Sequence, residues 1–358
     1  MVKTSERHRV PVYNRQTPAL PLMNAAILLA HGDRRQIRFV TDHPAPTPHP
    51  DQVVVRVAAC AVNFHDIFTR RGMPGITISF PLVTGSDIAG ELVALGEAVH
   101  GWNVGDRVLI DPICLDGARP GMLGETAPGG RAERVAVSAS QLIPIPHNVQ
   151  LTDAASLPLA YGTAHRMLIT RGRVTRGETI LVLGASGGVG TACVLLATLA
   201  GCRVIACASS ASKLERLRAL GADHVLNYQE RDFRREVYQI CGKPRVVGGG
   251  GVDVVVNFTG GDTWATSLKC LTKGGRLLTC GATAGYDPPT DIRYIWTFEQ
   301  QIIGSDGWTR DDLATLLHLI STNDLSPVVD QTLPLADAAE AERRLEDREV
   351  FGKIVLIP

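Results

Sequence analysis

The sequence predicts an α/β protein in two parts, a doubly wound parallel sheet joined to a β-rich N-terminal domain, and three observations predict it. The chain has 358 residues, about twice the ~150 residues of an ordinary domain. Short β-rich runs separated by Pro and Gly fill the first part from Asn24 to about Gln150. After Leu151 strand-like runs alternate with helix-like ones, as a parallel sheet with crossover helices requires.

The first part contains Ala25–Ala30, then QVVVRVAA, IAGELVALG, RVLIDP and AERVAV, which read as the strands of a compact β barrel or sandwich. In the second part TILVL precedes TACVLLATLA, CRVIACA precedes SKLERLRALGA, and VDVVVNF precedes TWATSLKCL, with RLLTCG as a further strand. From Arg310 a helical stretch leads to an amphipathic one over Ala336 to Glu346 and a closing strand over Lys353 to Ile357. The expected division is an arm over 1–22, a β domain over 23–151 completed by 298–358, and a nucleotide domain over 152–297.

Composition narrows the function. Lys plus Arg equal Asp plus Glu at 36 each, so there is no global basic field for nucleic acid. The longest apolar stretches, such as Ala192 to Ala200, fall short of the ~18 residues that span a bilayer, so no membrane association is expected. Eight scattered cysteines, none in a Cys-x-x-Cys pair, read as buried reduced thiols and point to the cytoplasm. The first 22 residues are basic and Pro-containing, and the apolar segment after them is too short for a secretory core.

The strongest local signal is Gly184-Ala-Ser186-Gly187-Gly188-Val189-Gly190, which closes an apolar strand and opens an apolar helix. In that context glycines admit a pyrophosphate to the backbone, free amides at the helix start face it, and Gly190 permits close helix–strand packing. An NAD site places Asp or Glu about 20 residues on. Here Cys207-Ala-Ser209-Ser210-Ala-Ser212-Lys213 has no acid, and its hydroxyls and ammonium suit a ribose phosphate, so NADPH is the expected cofactor. Tyr228 stands where it can lie against an adenine, and one serine also reads as a helix cap.

Six ordered blocks then give the chain a resemblance to the medium-chain dehydrogenase/reductase superfamily, in particular its zinc-independent, quinone-oxidoreductase-like members. They are Ala61-Val-Asn63-Phe-His65-Asp66 with Arg71-Gly72, Pro81 to Gly90, Val104 to Val108, Gly129 to Glu133, Gly184 to Gly190 with Leu220 to His224, and Phe351-Gly352-Lys353-Ile-Val. The resemblance implies a GroES-like N-terminal barrel, a Rossmann domain, a C-terminal tail returning to the barrel, an active site in the cleft between them, and a homodimer or homotetramer. It also implies a nicotinamide pocket lined by Thr163, Phe258, Thr259, Gly281, Ala282, Gly304 and Ser305.

Zinc-dependent relatives carry Cys at the position of Asn63, His at that of Ser86, and Cys or Asp near Leu159. An Asn, Ser, Leu set is not a zinc site, so no metal is expected. Without zinc, donors must stabilise the oxyanion formed by hydride transfer, which suits a conjugated small-molecule acceptor such as a quinone, an enone or an enoyl compound. Asn63 is the expected amide donor, Asp66 orders its loop, and His65 and Tyr161 are the candidate proton donors. Enoyl-thioester reductases of the family carry a catalytic Tyr after the Gly at Gly72; here Met73 and Pro74 follow. The alternatives are an NADP-dependent alcohol dehydrogenase on small alcohols or aldehydes, and a non-catalytic NADPH-binding sensor.

Overall fold

The computed structural model describes residues 21–114 and 121–358. The expected N-terminal arm lies largely outside them. Pro21 already accepts a hydrogen bond from Ala45 N, and the first strand begins at Leu22.

The N-terminal domain is built on β1 (Gln52–Val62), whose run of Val and Ala is buried on both faces. A Val and Ala run without alternation is what a doubly covered strand requires. Helix α1 (Phe64–Arg71) follows directly, with Asn63 as its N-cap residue. β1 pairs antiparallel with β2 (Asp87–Leu95) and with Arg134–Ser138. Leu22–Leu28 pairs with Ile37–Pro44 and Leu82–Val83 in a separate three-stranded sheet. A bridge from Ala25 to Ala132 joins the two sheets. Among the described residues the strand pairing runs as an open path rather than a closed ring of hydrogen bonds.

The nucleotide domain has six parallel strands: β3 (Thr179–Val182), then after helix α2 (Gly188–Leu199) β4 (Arg203–Ala208), and after helix α3 (Ala211–Ala219) β5 (His224–Asn227). They are followed by β6 (Val252–Val256), β7 (Leu271–Thr279) and β8 (Gln301–Gly304). Their order, β5-β4-β3-β6-β7-β8, reverses direction at β3. In a doubly wound sheet the crevice at that reversal, at the carboxyl ends of the strands, is where ligands bind. β3 and β6 are buried almost throughout, so their runs are continuous Val, Ile and Leu instead of alternating.

Beyond 297 the parallel sheet still continues: Gln301–Gly304 adds its sixth strand, and α4 (Arg310–Ser321) packs its Leu313, Leu316, Leu317 and Ile320 into a core cluster to which residues of both parts contribute. A four-residue strand with exposed positions carries too little pattern to be read from sequence. The chain then crosses back through α5 (Ala338–Glu346) to β9 (Lys353–Ile357), which pairs antiparallel with β1. The last strand thereby stands beside Asn63. No helix among the described residues is long and apolar enough to cross a membrane.

Candidate active site

The glycine loop follows β3 and opens α2. Gly184 has φ +64°, a conformation glycine adopts without a Cβ clash. A Cβ on Gly190 would stand 2.2 Å from the Gly184 carbonyl oxygen and 2.6 Å from Ala185 Cα, so helix and loop touch through bare backbone. Gly187 caps α2, and its carbonyl accepts from Thr191 N at 2.8 Å and Thr191 Oγ1 at 3.0 Å. The unpaired amides at the start of α2 carry the positive end of the helix dipole.

The remaining expected cofactor residues also stand just past strand ends. Ser209, Ser210 and Lys213 follow β4; Ser210 caps α3 and Lys213 Nζ donates to the Arg348 carbonyl. Burial pulls the Lys213 ammonium down from its ordinary range, and neighbouring Arg348 and Arg216 add to that against Asp330. Tyr228 follows β5 and is partly exposed. Phe258 and Thr259 follow β6, with the Phe258 ring against Gly184. Gly281 and Ala282 follow β7, and Gly304 and Ser305 follow β8. Gly281, Gly304 and Ser305 share a cavity of about 540 Å³ with Arg166, Arg171 and Asp306, and the buried Ser305 Oγ has no hydrogen-bond partner there. Thr163 is buried at the start of the helical turn Thr163–His165.

Lys353 is buried where the glycine loop meets the last strand. Its stem crosses the glycine loop, with Cδ at 3.0 Å from where a Gly188 Cβ would be, and Gly352 N donates to the Ser186 carbonyl at 2.9 Å. Its ammonium donates to Asn63 Oδ1 and, at 3.2 Å, to Asp87 Oδ2. The other oxygen of Asp87 accepts from Leu159 N at 2.9 Å. Burial pushes the Asp87 carboxyl up from its ordinary range, and the Lys353 ammonium pulls it back. Because an ammonium only donates, it fixes which end of the Asn63 amide faces it. Asn63 Nδ2, buried, is turned toward the Asp87 carboxylate, whose ionised form it favours, without making a well-formed hydrogen bond.

This donor set does not fit a zinc ion. Of the three positions occupied by zinc ligands in zinc-dependent relatives, Asn63 has its oxygen committed to Lys353, Ser86 donates weakly to Asp87 at 3.5 Å, and Leu159 offers a backbone N–H. A cation already sits among them, and zinc needs Cys, His or carboxylate ligands.

The four expected catalytic side chains separate. Asn63 lies in the cleft. Asp66 accepts from Asn63 N at 2.8 Å and pairs with Arg131 at 2.9 Å, so it orders the loop. Tyr161 is fully buried, its hydroxyl accepts from Val328 N at 2.7 Å, and burial drives its pKa up. His65 Nε2 stands 2.7 Å from Glu125 Oε2. Burial pulls His65 down, but Glu125 with Asp66 and Asp87 outweighs it and the net shift is upward. Sequence reasoning missed Glu125 and the part played by Lys353. A lone Lys inside the apolar run Phe351 to Ile357 was the available signal, since an unpaired Lys is almost never fully buried.

Known proteins resemble this chain over most of its length. Residues 49–147 match the family model of the alcohol dehydrogenase GroES-like domain, and residues 188–322 match that of the zinc-binding dehydrogenase. A solved NAD-dependent alcohol dehydrogenase superposes with a TM-score of 0.87 at 35% identity, over 94% of this chain and 100% of that one. The quinone oxidoreductase of Mus musculus is 28% identical over 94% of this chain and 98% of its own length. A 2-octenoyl-CoA carboxylase reductase, CinF, solved with NADP and 2-octenoyl-CoA, superposes with a TM-score of 0.83 at 28% identity, covering 95% of this chain and 88% of that one.

Proposed function

The chain belongs to the medium-chain dehydrogenase/reductase superfamily, and on that premise we propose that it is a metal-free, NADPH-dependent reductase of conjugated carbonyls, quinones or enoyl compounds. The observation that carries this reading is the Lys353 ammonium between Asn63 and Asp87, which turns the Asn63 amide so that Nδ2 is a buried donor with only a poorly formed contact to Asp87. A buried N–H so poorly paired costs stability, so its retention argues for a better partner that arrives with substrate. The oxygen of a polarised acceptor is such a partner, and the donor is worth most when that oxygen becomes an oxyanion. Relatives that act on quinones and enoyl thioesters support the acceptor class.

When bound, the reduced nicotinamide supplies the hydride. The protein holds the ring past the ends of β6, β7 and β8, beside Thr163, while the glycine loop fixes the pyrophosphate. The relatives divide between NAD and NADP, so cofactor choice rests on this chain's own residues. No acid follows β4, and Lys213, Arg216 and Arg348 cluster where a ribose phosphate fits, with Asp330 already paired to Arg216 at 2.8 Å. A cytoplasmic homodimer or homotetramer, pairing through the exposed β8 edge around Ile302, belongs to the same reading.

The test is NADPH oxidation followed spectrophotometrically across quinones, enones, enoyl thioesters, aldehydes and alcohols. Turnover of the conjugated acceptors, unaffected by chelators and with no stoichiometric zinc by elemental analysis, is expected. Saturable NADPH binding with no turnover of any acceptor overturns it in favour of a sensor. Alcohol oxidation with inert quinones overturns it in favour of an alcohol dehydrogenase.

A further inference from the structure

Reduction of a conjugated acceptor needs a proton as well as a hydride, and the residues around Asn63 leave few sources. Asp66, Asp87 and Lys353 are at most 3% exposed and paired with one another or with Arg131. Tyr161 is an anchor in the core. His65 differs: it lies in the first turn of α1, two residues past Asn63, and its side chain keeps about a quarter (26%) of its surface exposed.

Its partner is brought in by backbone packing. Glu125 stands in a turn whose preceding residue, Gly124, has φ +78°. A Cβ on Gly124 would meet Gly85 N at 2.5 Å, so the turn rests on the segment leading to Ser86 and Asp87. That contact places the Glu125 carboxylate, 10% exposed, against His65 Nε2 at 2.7 Å. A carboxylate there holds the Nε2 proton and leaves Nδ1 as the ring atom free to exchange one.

We propose that His65 is the proton donor of the reaction and that Glu125 is its positioning residue. The inference rests on the reductase reading. A bound reduced nicotinamide would supply the hydride that forms the new C–H bond at the β carbon. The alkene pair shifts to give an enolate whose oxygen faces Asn63 Nδ2. The α carbon then takes the Nδ1 proton from the imidazolium, and the neutral ring regains a proton from solvent. The groups that face His65 electrostatically are Glu125, Asp66 and Asp87, behind which Arg131 and Lys353 hold the two aspartates. The net acidic surround keeps the ring charged toward neutral pH.

A positioned donor protonates one face, whereas solvent protonates both. The full-length protein is given NADPH and an α-methyl cyclohexenone that carries a fixed stereocentre at another ring carbon, in deuterated water, and the configuration at the α carbon is read by NMR with the pH profile of kcat/KM. Wild type is expected to give one α epimer and to lose activity as pH rises through the raised His65 pKa. His65→Asn is expected to give both epimers with kcat lower by about 10²-fold. Glu125→Gln is expected to keep one epimer while the high-pH limb moves to lower pH. Should a variant fold poorly, titration of the His65 ring in wild type by ¹⁵N NMR is expected to show a midpoint above the ordinary histidine value of about 6.5. Wild type that oxidises NADPH yet gives both epimers, or His65→Asn that keeps one epimer and the same limb, overturns the pair while the reductase reading stands. Wild type that reduces no acceptor overturns both.

Discussion

The Lys353 ammonium donates to the Asn63 amide oxygen across 290 positions of sequence, and the same ammonium neutralises Asp87 at 3.2 Å. One side chain thus connects the end of the chain, the glycine loop beneath its stem and the donor in the cleft. Lys353→Met keeps the stem and removes the charge. Asp87, fully buried, then loses its cation, a change that costs about 3–5 kcal/mol. The expected outcome is a matching loss in urea unfolding and a fall in kcat of about 10²-fold, the value of one oxyanion donor. Adding Asp87→Asn is expected to restore stability without restoring kcat. Recovery of both together would mean that Lys353 only balances charge.

A second expectation concerns the phosphorylated dinucleotide. Lys213 Nζ rests on the Arg348 carbonyl and is available to a ribose phosphate. Lys213→Ala is expected to raise the NADPH dissociation constant about tenfold, one charge-assisted hydrogen bond, while leaving NADH unchanged. Isothermal titration with both cofactors measures this. Equal weakening of the two would assign Lys213 to helix packing.

Gly190 gives a third. An added methyl meets the Gly184 carbonyl oxygen at 2.2 Å, so the loop and α2 must part. Gly190→Ala is expected to cost about 1–3 kcal/mol in thermal or urea unfolding, as overpacking does. It is also expected to weaken dinucleotide binding, since the displaced amides are those that face the pyrophosphate. Wild-type affinity in this variant would show that the loop binds nothing.

These three sites differ in how far they could be read in advance. The glycine loop was legible because its chemistry is local: strand, turn and helix start lie within eleven residues, Ile180 to Gly190. Buried parallel strands such as Val252–Val256 were legible for the same reason, as short runs dominated by valine. Helix α1, with its mean polarity and two arginines, and the short strand Gln301–Gly304 carried no clear period. Their identity comes from tertiary contacts: Arg70 of α1 is buried only because Glu342 and Glu346 of α5 meet it at 2.6 and 2.8 Å. The cleft was half legible. Asn63 could be named from its block, but what orients it arrives from residue 353, and Glu125 is set by a Gly-on-Gly contact between segments 39 residues apart, Gly85 to Gly124. Sequence adjacency contains neither fact.

The last expectation follows the support behind Thr163, a residue of the proposed nicotinamide wall. Asp312, near the start of α4, accepts from Thr309 N at 2.8 Å, Thr170 Oγ1 at 2.8 Å and His165 Nδ1 at 2.7 Å. It therefore fastens α4 to the helical segment that begins with Thr163. Burial pushes this carboxyl up, but the hydrogen bonds from Thr309, Thr170 and His165 together outweigh it and leave it below the ordinary carboxylate range. A carboxyl lowered in the folded state contributes stability that is complete above its unfolded value, about 3.9, and disappears as pH falls through its folded value. Asp312→Asn lacks this contribution at every pH. Urea midpoints of the two proteins, measured from about pH 7 down to about pH 3, are therefore expected to lie furthest apart near neutrality and to converge in acid. A gap that stays constant over that range would mean that the ionised form of Asp312 adds nothing, and that shape alone seats the Thr163 segment against α4.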